Sequence, residues 1–180
     1  LVSGYKPQLI VAADSGIESV ADLAGKKIAI SSFTSTSGFV WPANLLADND
    51  LDPESDVEWL NAGGHDNAVL AVYNGEADAA FTFKDARTLF REESFFDDLM
   101  DSVILVTNTS EIPNDTISVI PNLAPEMKTR VRDAFLAVAA DPMGAEIIEG
   151  IYNHFGYAPA KDSDYDNVRV YLQRMEEWDF

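Results

Sequence analysis

Cysteine is absent from this chain. Disulfides and thiolate chemistry are excluded with it, and redox usage leaves no mark of compartment. Basic residues are scarce: 12 Lys and Arg stand against 31 Asp and Glu, a formal net charge of −19. That balance argues against nucleic acid, whose binding rests on basic groups that neutralise phosphates. It argues equally against an anionic membrane surface. No apolar run is long enough to cross a bilayer. Histidine occurs twice, at His65 and His154. Neither sits in a metal-ligand spacing such as H-E-x-x-H, and neither a P-loop Lys nor a G-x-S-x-G elbow is present. A hydrolase assembled from the Ser, His and Asp residues is therefore the least favoured of the readings below, and no cofactor or metal is expected.

What is present is enough apolar material for a core. Of 180 residues, 47% are hydrophobic, which suits one ordinary domain or two small lobes. The acidic shell keeps the protein soluble and repels itself. It does not forbid an anion site. Dipoles and N–H groups act at contact distance, while net charge is screened beyond about 10 Å.

The first part of the chain alternates short aliphatic runs with helix-compatible stretches. Strands are expected at residues 8–13, 28–31, 57–60, 77–83, 103–106 and 116–120. Helices are expected at 17–24, 38–48, after Asp66, after Asp85, at 126–140 and 144–155, and from Asp164 or Asp166 to Met175. Gly25 and Asn74-Gly75 close two of them. Alternation of this kind argues for an α/β layer with a largely parallel sheet. No repeat or low-complexity tract is apparent.

One stretch stands out. Ile28-Ala29-Ile30 leads into Ser31-Ser32 and then Ser35-Thr36-Ser37-Gly38, ahead of Phe39-Val40-Trp41-Pro42. Hydroxyls thus fall where a strand ends and a helix begins. The first turn of a helix has N–H groups without intrahelical partners, and the helix dipole adds partial positive charge there. Hydroxyl donors and a glycine complete a site for an oxyanion without any lysine. Capping alone also explains a Ser or Thr before a helix. Three in a row followed by glycine is more than capping needs.

In α/β sheets, ligands sit at the carboxyl ends of strands. Three more polar groups fall at such corners or at strand entries: His65 with Asp66 after Gly63-Gly64, Asp85, and Asn114-Asp115. His65 donates one hydrogen bond when neutral and two when protonated. Each group also has a plainer reading, as a cap or a turn residue. Trp41, Trp59, Phe81 and Phe83 read as core, and His154 as packing.

Several of these pieces are similar to one family. Ser35-Thr36-Ser37-Gly38-Phe39 with Pro42, Gly63-Gly64-His65-Asp66, Asn74-Gly75-Glu76-Ala77-Asp78-Ala79 and Ile112-Pro113-Asn114-Asp115-Thr116 resemble the phosphate/phosphite/phosphonate-binding proteins of ABC importers. Asp14-Ser15-Gly16-Ile17 and Leu23-Ala24-Gly25-Lys26 resemble it too. The resemblance implies a type II periplasmic-binding-protein fold, two α/β lobes hinged around a cleft, located outside the cytoplasmic membrane. It implies that Ser35, Thr36 and Ser37 hold a phosphorus oxyanion, that His65 donates to it, and that Asp85 and Asp115 face the rest of the ligand. Members carry a further N-terminal segment that builds most of the first lobe. Beginning at Leu1, the chain reads as processed or trimmed, without a signal sequence of its own. Residues 1–25 would then be an incomplete first lobe and hinge, 26–102 the anion-binding second lobe, and 103–180 the return crossing and helical remainder of the first. Self-association through the incomplete lobe is expected to mask apolar surface.

The function implied is capture of phosphonate, phosphite or phosphate and delivery to an ABC permease. The alternative is a ligand-sensing domain of a receptor that uses the same fold.

Overall fold

A computed structural model describes residues 4–152 and 154–180. Residues 1–3 of the expected first segment and residue 153 of the expected helix 144–155 lie outside the described residues. The chain separates into two compact units. One comprises Gly4–Pro113 with Asp166–Phe180, the other Asn114–Tyr165.

The first unit is built on a five-stranded sheet. Its strands are β2 (Gln8–Ala12), β3 (Lys27–Ile30), β4 (Glu58–Asn61), β5 (Ala79–Thr82) and β6 (Val103–Asn108), and β1 (Gly4–Tyr5) forms a separate two-stranded ribbon with β7 (Ile112–Pro113). The order across the sheet is β4-β3-β5-β2-β6. β3 runs parallel to β4 and β5, while β2 is antiparallel to both β5 and β6. The sheet is therefore mixed, where alternation along the chain suggested a largely parallel one. A strand entering from the N-terminal side is inserted between two later strands, and nothing in its local sequence reports that direction.

Both faces of the sheet are covered, which is why the central strands are aliphatic throughout rather than alternating. On one face, Ile10, Ala29 and Ala80 pack with Ala68, Val69 and Val72 of α2 (His65–Tyr73), together with Leu99 of α3 (Phe96–Ser102). Alanine on β3 and β5 lets that helix approach closely. On the other face, Leu9, Val11, Ile28 and Phe81 pack with Ile17, Val20, Leu23 and Leu46. Leu46 belongs to α1 (Trp41–Ala47). The C-terminal α6 (Asp166–Met175) docks on α1. The buried amide of Asn44 donates to the Val40 and Tyr171 carbonyls at 2.9 and 3.4 Å, and Arg174 reaches Asp48 at 2.7 Å.

The second unit is helical: α4 (Pro125–Ala140) and α5 (Pro142–Tyr152), joined at Asp141, whose carboxylate accepts from the N–H groups of Met143 and Gly144. Residues 116–120, expected as a strand, form no strand. Ile117, Val119 and Ile120 are exposed there. Ile117 and Val119 alternate with the period of a strand, but among the described residues this stretch pairs with none.

Candidate functional site

β3 ends at Ile30, and the chain turns through Ser31 and Ser32, with the Ser35 N–H donating to the Ser32 carbonyl at 3.1 Å. Ser35 is extended (φ −76°, ψ 125°) and its hydroxyl accepts from the Gly38 N–H at 3.1 Å. That is a helix cap, so the plainer reading of Ser35 is realised. The helix then opens with one wide turn, Thr36–Val40, before α1. Its first hydrogen bonds come from Phe39 and Val40, both to the Ser35 carbonyl, at 2.9 and 3.0 Å. Pro42 has no N–H with which to close the next turn in the usual way. The N–H groups of Thr36 and Ser37 precede this pattern and have no acceptor within the helix. Ser37 is buried and Thr36 half-buried. The turn is anchored by Phe39, whose ring meets Trp59 edge-on at 5.0 Å, and by the fully buried Trp41.

His65 is the first residue of α2, after Gly63 at φ 79° and an extended Gly64. A Cβ at Gly64 would meet the movable end of the exposed Asp66 side chain, so it is Gly63, with its positive φ, that this entry requires to be glycine. The His65 ring is half-buried and meets Phe83 edge-on at 4.9 Å. Its Nδ1 is buried without a partner. Burial pushes its pKa below the ordinary imidazole value, against the opposing pull of Asp66. His65 is thus held neutral, with one N–H to give.

Asp85 caps the short turn Ala86–Phe90 that follows β5. Its carboxylate is gripped by Arg87: Nε donates to Oδ1 at 2.9 Å, Nη2 to Oδ2 at 2.6 Å, and the Arg87 N–H to Oδ1 at 3.2 Å. Arg87 is itself buried and anchored by Nη1 on the Val103 carbonyl at 2.7 Å. Burial disfavours the Asp85 charge, but the Arg87 fork outweighs it and holds the pKa below the usual carboxylate range. Asp115 lies in the helical unit and is exposed.

Ser35, Thr36 and Ser37, His65 and Asp85 follow the carboxyl ends of β3, β4 and β5, three neighbouring parallel strands, so the sheet delivers all three loops to one edge. The ring contact of His65 with Phe83 ties two of them together. Arg87 was not anticipated. Its signal was weak: a cation two residues after an acid, at a turn, in a chain short of cations. Among the described residues no group of acids and histidines has the arrangement of a metal site, and no helix is long and apolar enough to cross a membrane.

Residues 2–165 match the family model described as ABC transporter, phosphonate, periplasmic substrate-binding protein. The chain belongs to this phosphonate-binding family. The family is one of transporter substrate-binding proteins rather than enzymes. Among its relatives, the phosphate-import protein PhnD of Mycolicibacterium smegmatis is 28% identical over 92% of this chain and 56% of that protein. The phosphonates-binding periplasmic protein of Escherichia coli is 27% identical over 89% of this chain and 47% of that one. This phosphonate-binding-family chain therefore spans about half the length of the curated relatives it matches. The structure of PhnD1 from Prochlorococcus marinus in complex with methylphosphonate superposes with a TM-score of 0.74 at 15% identity, covering 98% of this chain and 68% of that one. That likeness shows the α/β fold of periplasmic binding proteins.

Proposed function

We infer that the protein is the extracytoplasmic solute-binding component of an ABC importer, and that it captures a small phosphorus oxyanion for a membrane permease. The observation that carries this reading is the helix opening at Thr36 and Ser37. Its N–H groups lack intrahelical acceptors, it follows a strand end, and it lies in a chain of the phosphonate-binding family. Tetrahedral phosphorus anions suit such a start, because the dipole and the convergent donors favour negative charge without a lysine. The names of the relatives, a phosphate importer and a phosphonate binder, support the ligand class.

In this reading Thr36 and Ser37 grip the anion through N–H and hydroxyl donors. Ser35 shapes the grip by capping the turn. Neutral His65 adds one donor and no charge. Asp85 keeps its orientation through Arg87, and Oδ2 retains lone-pair capacity for a donor on the ligand. A carboxylate at that corner favours a phosphonate whose organic part carries an amine or hydroxyl. Isothermal calorimetry with methylphosphonate, phosphite and phosphate tests the reading: at least one should bind with measurable heat, and three flat traces would remove it.

A further inference from the structure

Along the same sheet edge lies a set of polar groups that the site described above leaves unused. Ala29 on β3, Ala80 on β5 and Ile10 on β2 stand side by side on the face covered by α2. Side chains return to one face of a strand every second residue. Two residues on from Ala80 in β5, and two residues back from Ile10 in antiparallel β2, that face carries Thr82 and Gln8, which are register partners. Ser31 is the residue that follows the end of β3. An apolar row is thus followed, at the carboxyl edge, by a row of three polar residues. All three residues are more than nine-tenths buried, with relative exposures of 7%, 1% and 3% for Ser31, Thr82 and Gln8. Each holds a buried atom without a hydrogen-bond partner: Ser31 Oγ, Thr82 Oγ1 and Gln8 Oε1. The other end of the Gln8 amide is engaged, Nε2 donating to Asn108 Oδ1 at 3.3 Å.

Buried polar atoms without partners cost stability, and folded proteins keep few of them. Here three share one row. The row also runs up to the helix start. A Cβ placed on Gly38 would collide with Ser31 Oγ, and would lie 3.1 Å from Ser35 Oγ and 3.2 Å from the Ser31 nitrogen. Ser31 therefore sits directly against the turn that caps the helix, and glycine at 38 admits that approach.

We propose that Ser31, Thr82 and Gln8 form a neutral inner tier of the oxyanion site, in which Ser31 meets the innermost ligand oxygen and the other two orient it. The proposal rests on the reading of the site given above. The Ser31 and Thr82 hydroxyls each have a proton to donate to ligand oxygens, while Gln8 Oε1 only accepts and takes the proton of a singly protonated anion. A tier of hydroxyl and amide groups satisfies an oxygen but not a P–H or P–C substituent. It therefore selects anions that turn a complete face of three oxygens inward, with the remaining substituent outward. Phosphate, phosphite and methylphosphonate meet that condition, and dimethylphosphinate does not.

The test is calorimetry on the full chain with methylphosphonate and dimethylphosphinate, together with thermal melts, for the parent, Thr82→Val, Gln8→Met, Ser31→Ala and Ser37→Ala. Thr82→Val removes an unpartnered buried hydroxyl at constant shape, so it should leave the melting temperature unchanged or higher. It should weaken methylphosphonate binding about 10-fold, as expected for one hydrogen bond to an anion, and narrow the preference over dimethylphosphinate. Gln8→Met and Ser31→Ala should move binding the same way. If these three bind as the parent does while Ser37→Ala weakens, the inner tier is wrong and the outer site stands. A fall in affinity matched by a fall in melting temperature would assign the row a structural role and overturn the proposal. A parent that binds none of phosphate, phosphite and methylphosphonate removes the site itself, and the tier with it.

Discussion

The sheet-containing unit and the unit Asn114–Tyr165 are comparably rich in aliphatic and aromatic side chains, yet they bury them very differently. In the first, Leu9, Ile10, Val11, Ile28, Ala29, Ile30 and Phe81 are wholly enclosed. In the second, Ile148 is the one buried hydrophobic residue among those described, while Phe135, Val138, Met143, Ile147, Ile151 and Phe155 are exposed. The difference is one of layers. A sheet covered on two faces closes around its strands, whereas two helices enclose only the seam between them. Hydrophobic content alone does not make a core, and the stability of this chain should reside in the sheet unit.

The largest test of that contrast is a pair of truncations. Phe81→Ala should cost about 3–5 kcal/mol of unfolding free energy, from lost burial and the cavity left behind. Ile148→Ala should cost about 2 kcal/mol, the low end for such a truncation, because its surroundings are open and can relax. Denaturant melts compare them; equal losses would show that the helical unit is as tightly built as the sheet. Amide exchange should agree, with α4 and α5 opening before β3 and β5.

Next in size is the ion pair that locks one loop of the sheet unit. Asp85→Ala strands the buried Arg87 guanidinium and should cost about 3 kcal/mol. Loss of less than about 0.5 kcal/mol would mean the pair behaves as an exposed one.

Smaller again is the anion grip. Ser37→Ala should weaken binding of the tightest of the three phosphorus anions about 10-fold, with little change in melting temperature. Unchanged affinity would place the pocket elsewhere.

The smallest effect is that of pH on the sheet unit. His65 has a lowered pKa in the fold, so the unfolded chain takes up its proton first, and stability falls as the pH drops below about 6.5. Asp85 also has a lowered pKa, so its contribution is present above about pH 4 and lost as the pH falls through the folded value. His65→Gln should flatten the first slope and leave the second. If the slope between pH 5 and 6.5 survives in that variant, His65 is not its source.

Much of this was legible in the residues. The aliphatic runs around Val11, Ile28 and Phe81 announced buried strands, because a strand covered on both faces needs no polar alternation. The hydroxyl cluster before Phe39 announced a helix start, because capping chemistry is local. The direction of β2 was not legible, nor was the failure of residues 116–120 to pair. Both depend on which edge is available elsewhere in the chain. The Arg87 fork escaped notice for a related reason: the guanidinium is held from Val103, sixteen positions away.

The order of residues by itself determined where strands end and helices open, the absence of thiol chemistry, and the hydroxyls and glycine at one such junction. Spacing along the backbone is enough to set those. Only the tertiary structure decided that Ser31, Thr82 and Gln8 lie in one row, that three loops leave one sheet edge, and that the acid in one of them is already engaged. Those facts depend on strand order and register, which bring together residues that no local pattern connects.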